Sequence, residues 1–456
     1  MFEDYQQLLA DATSATDKAE SVRILAKILA GQDGKDFVTR LDPKDGEMCI
    51  EILDHGLSER KISKAEKQTF SVMLWKLAAS HKRLPDSVAM QEELEISEEI
   101  RAGGESTDIR VGKHKGNLVA VTARAISPKN NPDWIRQGFC KQVILWSKLS
   151  HPNVLKLLGA YGDMEKGPLA TVSEWVTGGD IMEYTKHNPA NRLELLHGAA
   201  QGLKYLHDEG IVHGDPTGQS IFVKNDAPRP PTAYLSGFAC MTVTLDPGEP
   251  IPFDVQLGHG TVQFKAPERF NPEKFGAAYP LVTPEADVYA FGMTIFQVLT
   301  GETPFQDLQE VAVIDSVVDG LRPAKPQNAS AIGFSDSLWE IVQHCWDSDR
   351  TRRPTTTELA KRLNEAAANW HTLMPPNTTT PPGTPPLVGP SPTVSGSTGD
   401  ESDPTNRPEA RESHLGSVDA PPGWFHVSLA QTWTYMTRKT SKVQPLARRG
   451  LMVTMR

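Results

Sequence analysis

The sequence predicts an α+β fold: a helical segment over residues 1–92, then a small strand-rich lobe and a larger helical lobe over 95–370, then an extended tail. Three observations carry this. Apolar residues recur at helical spacing through SVRILAKILA, MCIEILDHGL and KQTFSVMLWKLAA, with few glycines or prolines. Near residue 95 the texture changes to short alternating runs of the kind that form strands. After Met374 the composition shifts to Pro, Thr, Ser and Gly, which bury too little apolar surface to offset the entropy of ordering.

Each element has its own signal. Ser63 and Glu66 have the spacing of a capping box and open the last N-terminal helix. The apolar faces of these helices need cover, from one another, from the following lobe or from another protein. TDIRVGKHKGNLVAVTARA reads as a hairpin turning near Lys115, Gly116 and Asn117. Asn131-Pro132 then starts a helix to about residue 148, with Ile135, Phe139, Val143 and Trp146 on one inward stripe that Gln142 shares. Residues 153–176 return to strands, and Thr177-Gly178-Gly179 leads into chain that is mainly helical to about 370. Residues 374–422 are expected to be a disordered tail, in which Thr380, Thr384 and Ser391 precede prolines and are candidates for phosphorylation. Residues 423–456 form a basic extension of unknown structure, free of acidic residues from Trp424 on and interleaved with Trp433 and Tyr435. It is the one part suited to touch an anionic membrane.

The whole chain narrows the function classes. Its 456 residues allow two or three domains, and a net charge of -10 argues against nucleic acid as a partner, since that binding neutralises many phosphates with clustered cations. Cys49, Cys140, Cys240 and Cys345 are far apart and form no CxxC pair, which disfavours a zinc site or a disulfide framework. There is no basic-then-apolar leader and no uninterrupted apolar run near the ~20 residues of a membrane span. An intracellular, cytoplasmic location is the expectation.

Three segments point to chemistry: IVHGDPTGQSIFV at 211–223, LSGFA at 235–239 and APE at 266–268. In that order they resemble the catalytic loop, metal-binding turn and activation-segment end of a protein kinase. HPNVLKLLG at 151–159, VSEWVTGGD at 172–180, GTVQFKAPE at 260–268, DVYAFGMTIFQVLTGETPF at 287–305 and CWDSDRTRRPT at 345–355 look like further landmarks of the same family. The patterns are most similar to the tyrosine-kinase-like group, particularly its fungal members, where HGD commonly replaces HRD. The resemblance implies a two-lobed protein-kinase-like fold over 95–370.

It also implies that much of the chemistry is missing. Asp215 stands at the base, but Ser220 replaces the magnesium-binding asparagine and Gly237 the magnesium-binding aspartate. In VAVT at 119–122, Thr122 stands at the phosphate-binding lysine, and Gln142 stands at its glutamate partner. Both ends of that ion pair are neutral, a joint change that leaves no lone charge and that hydrogen bonds can satisfy. Lys113, Lys115 or Arg124 would be the substitute cation if there is one. The glycine loop is worn, with only Gly104 at a patterned position and Glu105 beside it. Thr217 replaces a loop lysine, and Gly214 replaces the arginine that would receive an activation-segment phosphate. Because three charge-stabilising groups are missing, turnover is expected at about 10⁻⁴ or less of an ordinary kinase, which leaves Asp215 a vestigial base.

The supporting architecture looks intact by the same resemblance. Trp146, Leu157, His213 and Phe238 match the column that links the lobes, with Asp287 its anchor, and Glu268 with Arg353 match the ion pair that closes the helical lobe. Gly104, Ile109, Ala120, Ser173, Glu174, Trp175, Asp180 and Phe222 match nucleotide-site positions, Phe222 more as a filler than as an adenine stack. The implied reading is a pseudokinase acting in signalling through protein partners, as scaffold or allosteric partner. No metal or other cofactor is expected, and any ATP would bind without the usual magnesium ligands. The alternative is a weak or unconventional Ser/Thr or Tyr kinase that uses Asp215.

Overall fold

The computed structural model describes residues 2–59, 62–92, 94–103, 107–124, 132–165, 167–188, 192–226, 228–244, 261–278, 280, 282–369 and 424–427. Five helices come first: α1 (Phe2–Ser14), α2 (Lys18–Ile28), α3 (Gln32–Val38), α4 (Pro43–Ser58) and α5 (Lys64–Ser80). Their starts are set by local chemistry. The Asp17 and Asp42 carboxylates accept from the first turns of α2 and α4, and Ser63 and Glu66 cap one another's backbone on α5.

The strand-rich lobe holds β1 (Leu94–Gly103), β2 (Thr107–His114), β3 (Asn117–Arg124), helix α6 (Pro132–Ser147), β4 (Leu157–Gly162) and β5 (Leu169–Glu174). Lys115 and Gly116 turn the β2–β3 hairpin with φ of 50° and 80°, and the glycine meets nothing there that would obstruct it. The helical lobe follows with α7 (Ile181–His187), α8 (Arg192–Asp208), the short strands β6 (Ile211–Val212), β7 (Ile221–Lys224), β8 (Thr232–Leu235) and β9 (Thr242–Val243), and helices at Pro284–Thr300, Glu310–Val318, Asp336–Cys345 and Thr356–Ala368. β6 pairs with β9 and β7 with β8. The fold is therefore the one expected, a sheet lobe and a helical lobe with added N-terminal helices.

Two details differ from the periodicity reading. The helical run stops at Ser80, not near 92, because Lys82, just after the C-cap His81, takes a left-handed φ of 53° that cannot continue a helix. Residues 88–90 instead form a strap along β4, where Met90 N donates to Ala160 O at 2.8 Å and Ala160 N to Val88 O at 2.9 Å. At the other end, residues 424–427 of the basic extension form β10, antiparallel to β1, giving a sheet of order β10-β1-β2-β3-β5-β4. Residues 374–422, and with them Thr380, Thr384 and Ser391, lie outside the described residues.

Helix α6 is buried on more than the expected stripe. Ile135, Phe139, Val143 and Trp146 are buried as periodicity required, but so are Cys140, Ile144 and Leu145, because α5 lies along α6. Phe70, Leu74, Leu77 and Ala78 of α5 belong to one apolar core with α6 and with the helical lobe. A second, smaller core holds Val119, Val121, Ala170 and Val172 of the sheet. Among the described residues no helix is long and apolar enough to cross a membrane.

Candidate active site

The catalytic-loop segment is held from beneath by one carboxylate. Asp287, 1% exposed, accepts from His213 N at 2.7 Å, from His207 Nε2 at 2.9 Å and from Gly214 N at 2.8 Å. Such bonds to a buried charge are short and strong, and they fix the loop's entry. His213 is fully buried, donates from Nε2 to Ser236 O at 2.6 Å and accepts at Nδ1 from Asp215 N at 3.3 Å. Its ring lies 5.4 Å from that of Phe238, which lies 5.1 Å from Trp146. Trp146 in turn donates to Leu155 O at 2.6 Å, and Leu157, also buried, starts β4 beside it. The structure thus brings Trp146, Phe238, His213 and Asp287 into one line that runs from the sheet lobe to the helical lobe.

Burial holds the His213 imidazole below its ordinary value of 6.5, so it is neutral in the native state. Burial shifts His151 and His197 the same way. The unfolded chain takes up protons near pH 6.5 that the native chain refuses, so stability is whole above that pH and falls as pH drops toward the lowered folded values. Urea denaturation at pH 7.0 and 5.5 should show the loss, with a slope of up to ~1.4 kcal/mol per pH unit from the fully buried His213 and less from the partly exposed His151 and His197.

Asp215 sits at the mouth of the loop with both oxygens engaged. Thr261 N donates to Oδ1 at 3.0 Å and Thr261 Oγ1 to Oδ2 at 3.1 Å. Thr261 lies within GTVQFKAPE, where the sequence gives it no role; its partner is far away along the chain, and only folding pairs them. Nor does the sequence mark Arg269. It donates to Gly214 O at 3.1 Å, so a guanidinium reaches the backbone where Gly214 itself has no side chain. Gly214 adopts a φ of +86°, and a Cβ there would meet Cys240 O at 2.4 Å, which excludes an arginine at 214 in this packing. Asp215, Arg269, Lys141 and Lys265 all act electrostatically on Cys240, whose thiol burial pushes up to about 11.

The two replaced metal positions, 220 and 237, do not form a vacant site waiting for ligands. The Ser220 hydroxyl donates to Thr217 O at 2.7 Å and accepts from Thr217 N at 2.9 Å, so it caps its own loop. Gly237 has a φ of +77°, and a Cβ on it would lie 2.7 Å from Ser220 Cβ. Aspartate tolerates that φ better than most residues, so the close approach is the obstacle. Gly237→Asp is expected to destabilise the protein by about 1–3 kcal/mol through overpacking, without conferring magnesium-dependent nucleotide binding. Denaturation with and without magnesium and ATP checks both halves. At these two positions the residues present do not fit a magnesium ion.

Thr122 lies on β3 opposite Ile109 on one side and Thr171 on the other, half-buried. Among the described residues no hydrogen bond joins it to Gln142, which is also half-buried on α6. Of the substitute cations, Lys115 is paired with Glu92 at 2.9 Å at the hairpin turn, and Lys113 lies near that end of β2, opposite Leu118. Arg124 is two residues beyond Thr122 and shares its face of β3, where burial holds its pKa down.

The nucleotide-site positions gather at the junction of the lobes. Ala120 pairs with Ser173, which also pairs with Leu157, and Glu174 pairs with Val119. Trp175 N donates to Leu118 O at 3.3 Å, and Asp180 forms a bridge with half-buried Phe222. One carboxylate oxygen of Asp180 is used as the N-cap of α7, accepting from Glu183 N at 2.9 Å. Gly104 and Glu105 lie outside the described residues. In the helical lobe, Glu268 and Arg353 form a buried two-pronged pair, with distances of 2.6 and 2.8 Å.

A sequence profile of the protein tyrosine and serine/threonine kinase family matches residues 94–363. The chain belongs to that kinase family. The chain is 27% identical over 281 residues to the serine/threonine-protein kinase VIK of Arabidopsis thaliana, covering 60% of each chain. It is 25% identical over 273 residues to the serine/threonine-protein kinase STY46 of the same plant, covering 58% of this chain and 43% of the relative. With the human ephrin type-A receptor 1 it shares 27% identity over 242 residues, 52% of this chain and 23% of the receptor. The chain thus spans less than two thirds of the length of these relatives. Two of these relatives are named as serine/threonine-protein kinases and the third as a receptor, so the resemblance does not single out an acceptor residue.

Proposed function

We propose that this protein is a pseudokinase of the tyrosine-kinase-like, fungal-like type, acting in signalling as a scaffold or allosteric partner of other proteins. The observation that supports it most is Ser220. Its hydroxyl is spent on its own loop, and that loop packs against Gly237 so closely that a carboxylate cannot return without movement. The family's pattern places an amide and a carboxylate oxygen there for magnesium, whereas Gly237 has no side chain and the Ser220 hydroxyl is neutral and already bonded to Thr217. Thr122 and Gln142 add the loss of the fixed cation and its partner, while the line from Trp146 to Asp287 keeps the two lobes in register.

Thermal unfolding with ATP, with and without magnesium, tests this, because a ligand bound to the native state raises the midpoint. The expected outcome is no magnesium-dependent shift. A shift that needs magnesium would overturn the reading. A second reading, a weak kinase, draws support from Asp215, which Thr261 holds in place, and from Arg124, which lies on the same face of β3 as Thr122. Phosphoryl transfer that Asp215→Ala abolishes would establish it.

A further inference from the structure

The N-terminal helices grip the kinase domain at two places. Lys148, just past the end of α6, pairs with Asp54 of α4 at 2.7 Å, and its ammonium also donates to Asp54 O at 3.2 Å and Ser58 Oγ at 3.0 Å. Asp54 is 6% exposed, so this pair is largely removed from solvent. On the next helix, Gln68 Nε2 donates to Thr244 O at 2.8 Å and Thr244 Oγ1 at 3.0 Å. Thr244 follows β9 directly and is tied to Gly210 O through its N at 2.8 Å and its hydroxyl at 3.1 Å. Lys67 pairs with Glu209 at 3.2 Å beside it, and Lys64 reaches Asp208 O at 3.4 Å.

These grips are continuous with packing. Between them, Leu57, Ser71, Leu145, Leu149, Ile211 and Val243 leave a cavity of only about 70 Å³. The apolar core runs unbroken from α4 and α5 into α6 and the helical lobe. Helix α6 carries Gln142 and Trp146, and β9 lies a few residues after Gly237 and Phe238. The elements held from outside are therefore those that shape the cleft from inside.

We infer that the N-terminal helices are a cis-acting control element of the kinase domain: α4 and α5 clamp α6 and Thr244 together, so that displacing them reshapes the cleft. A packed core transmits such a shift because its side chains have few intermediate arrangements. A polar residue such as Gln68, placed where it bonds twice to one residue of another lobe, serves the coupling rather than the burial. The inference stands whether or not the cleft transfers phosphate.

Amide hydrogen exchange on the full chain tests it. Gln68→Ala removes two hydrogen bonds from a partly exposed seam and leaves the core alone. Exchange is expected to rise by about three- to tenfold at 242–244 and at 143–149, with the 336–345 helix unchanged. The paired change Asp54→Leu with Lys148→Met, which leaves no lone buried charge, should raise exchange at 143–149 with the fold kept. Increases confined to the N-terminal helices themselves, with 143–149 and 242–244 as in the parent chain, would overturn the inference. Separate thermal transitions for the N-terminal helices and the kinase domain would also overturn it.

Discussion

Arg353→Ala is expected to cost about 3–5 kcal/mol, the usual penalty for leaving one member of a buried ion pair alone. Glu268 would keep its charge at 2% exposure with both of its guanidinium bonds gone. Arg353 also donates to Asp347 O at 2.9 Å and to Glu285 O at 3.0 Å, and its guanidinium lies 5.1 Å over the Tyr289 ring. One substitution thus releases the helix at 267–270, the start of the helix at 284–300 and the turn before 353 together. Against a total stability of about 5–15 kcal/mol for a typical domain, this loss is large. Chemical denaturation measures it, and the double change with Glu268→Gln should recover part of the loss, because the stranded charge is then removed.

Asp287→Ala is expected to have a comparable effect by a different route. Three donors lose their acceptor, two of them buried backbone N-H groups at the catalytic loop and the third the partly buried His207. Each buried donor left unsatisfied costs about 1–3 kcal/mol, and the three share one acceptor, so their costs do not simply add. Asp287→Asn keeps one acceptor oxygen and should lose roughly half as much. The distinguishing measurement is local: exchange at 211–215 should rise in both variants, and the packing of the His213 ring on Phe238 should loosen in the alanine variant first.

Much of the fold was legible because its signals are local. The Ser63–Glu66 box, the Lys115-Gly116 turn and the proline at the start of α6 each depend on neighbours within a few residues. The site was legible by position but not by posture. Thr122, Gln142, Ser220 and Gly237 could be named from order alone, whereas the turn of Ser220 into its own loop depends on backbone that folds around it. Thr261 and Arg269 carried no periodic or compositional mark, since their value lies in Asp215 and Gly214, far from them along the chain.

The sequence by itself determined the family architecture, the neutral residues at four catalytic positions and the helical nature of the first segment, because residue identity and apolar period are properties of the chain. Tertiary structure alone decided what covers helix α6. An apolar stripe states that a face must be buried and is silent on which surface buries it. Here the second face of α6 is closed by α5, and the charge of Lys148 by Asp54. That choice makes the N-terminal helices part of the kinase fold, for reasons of packing and buried charge that no single segment contains.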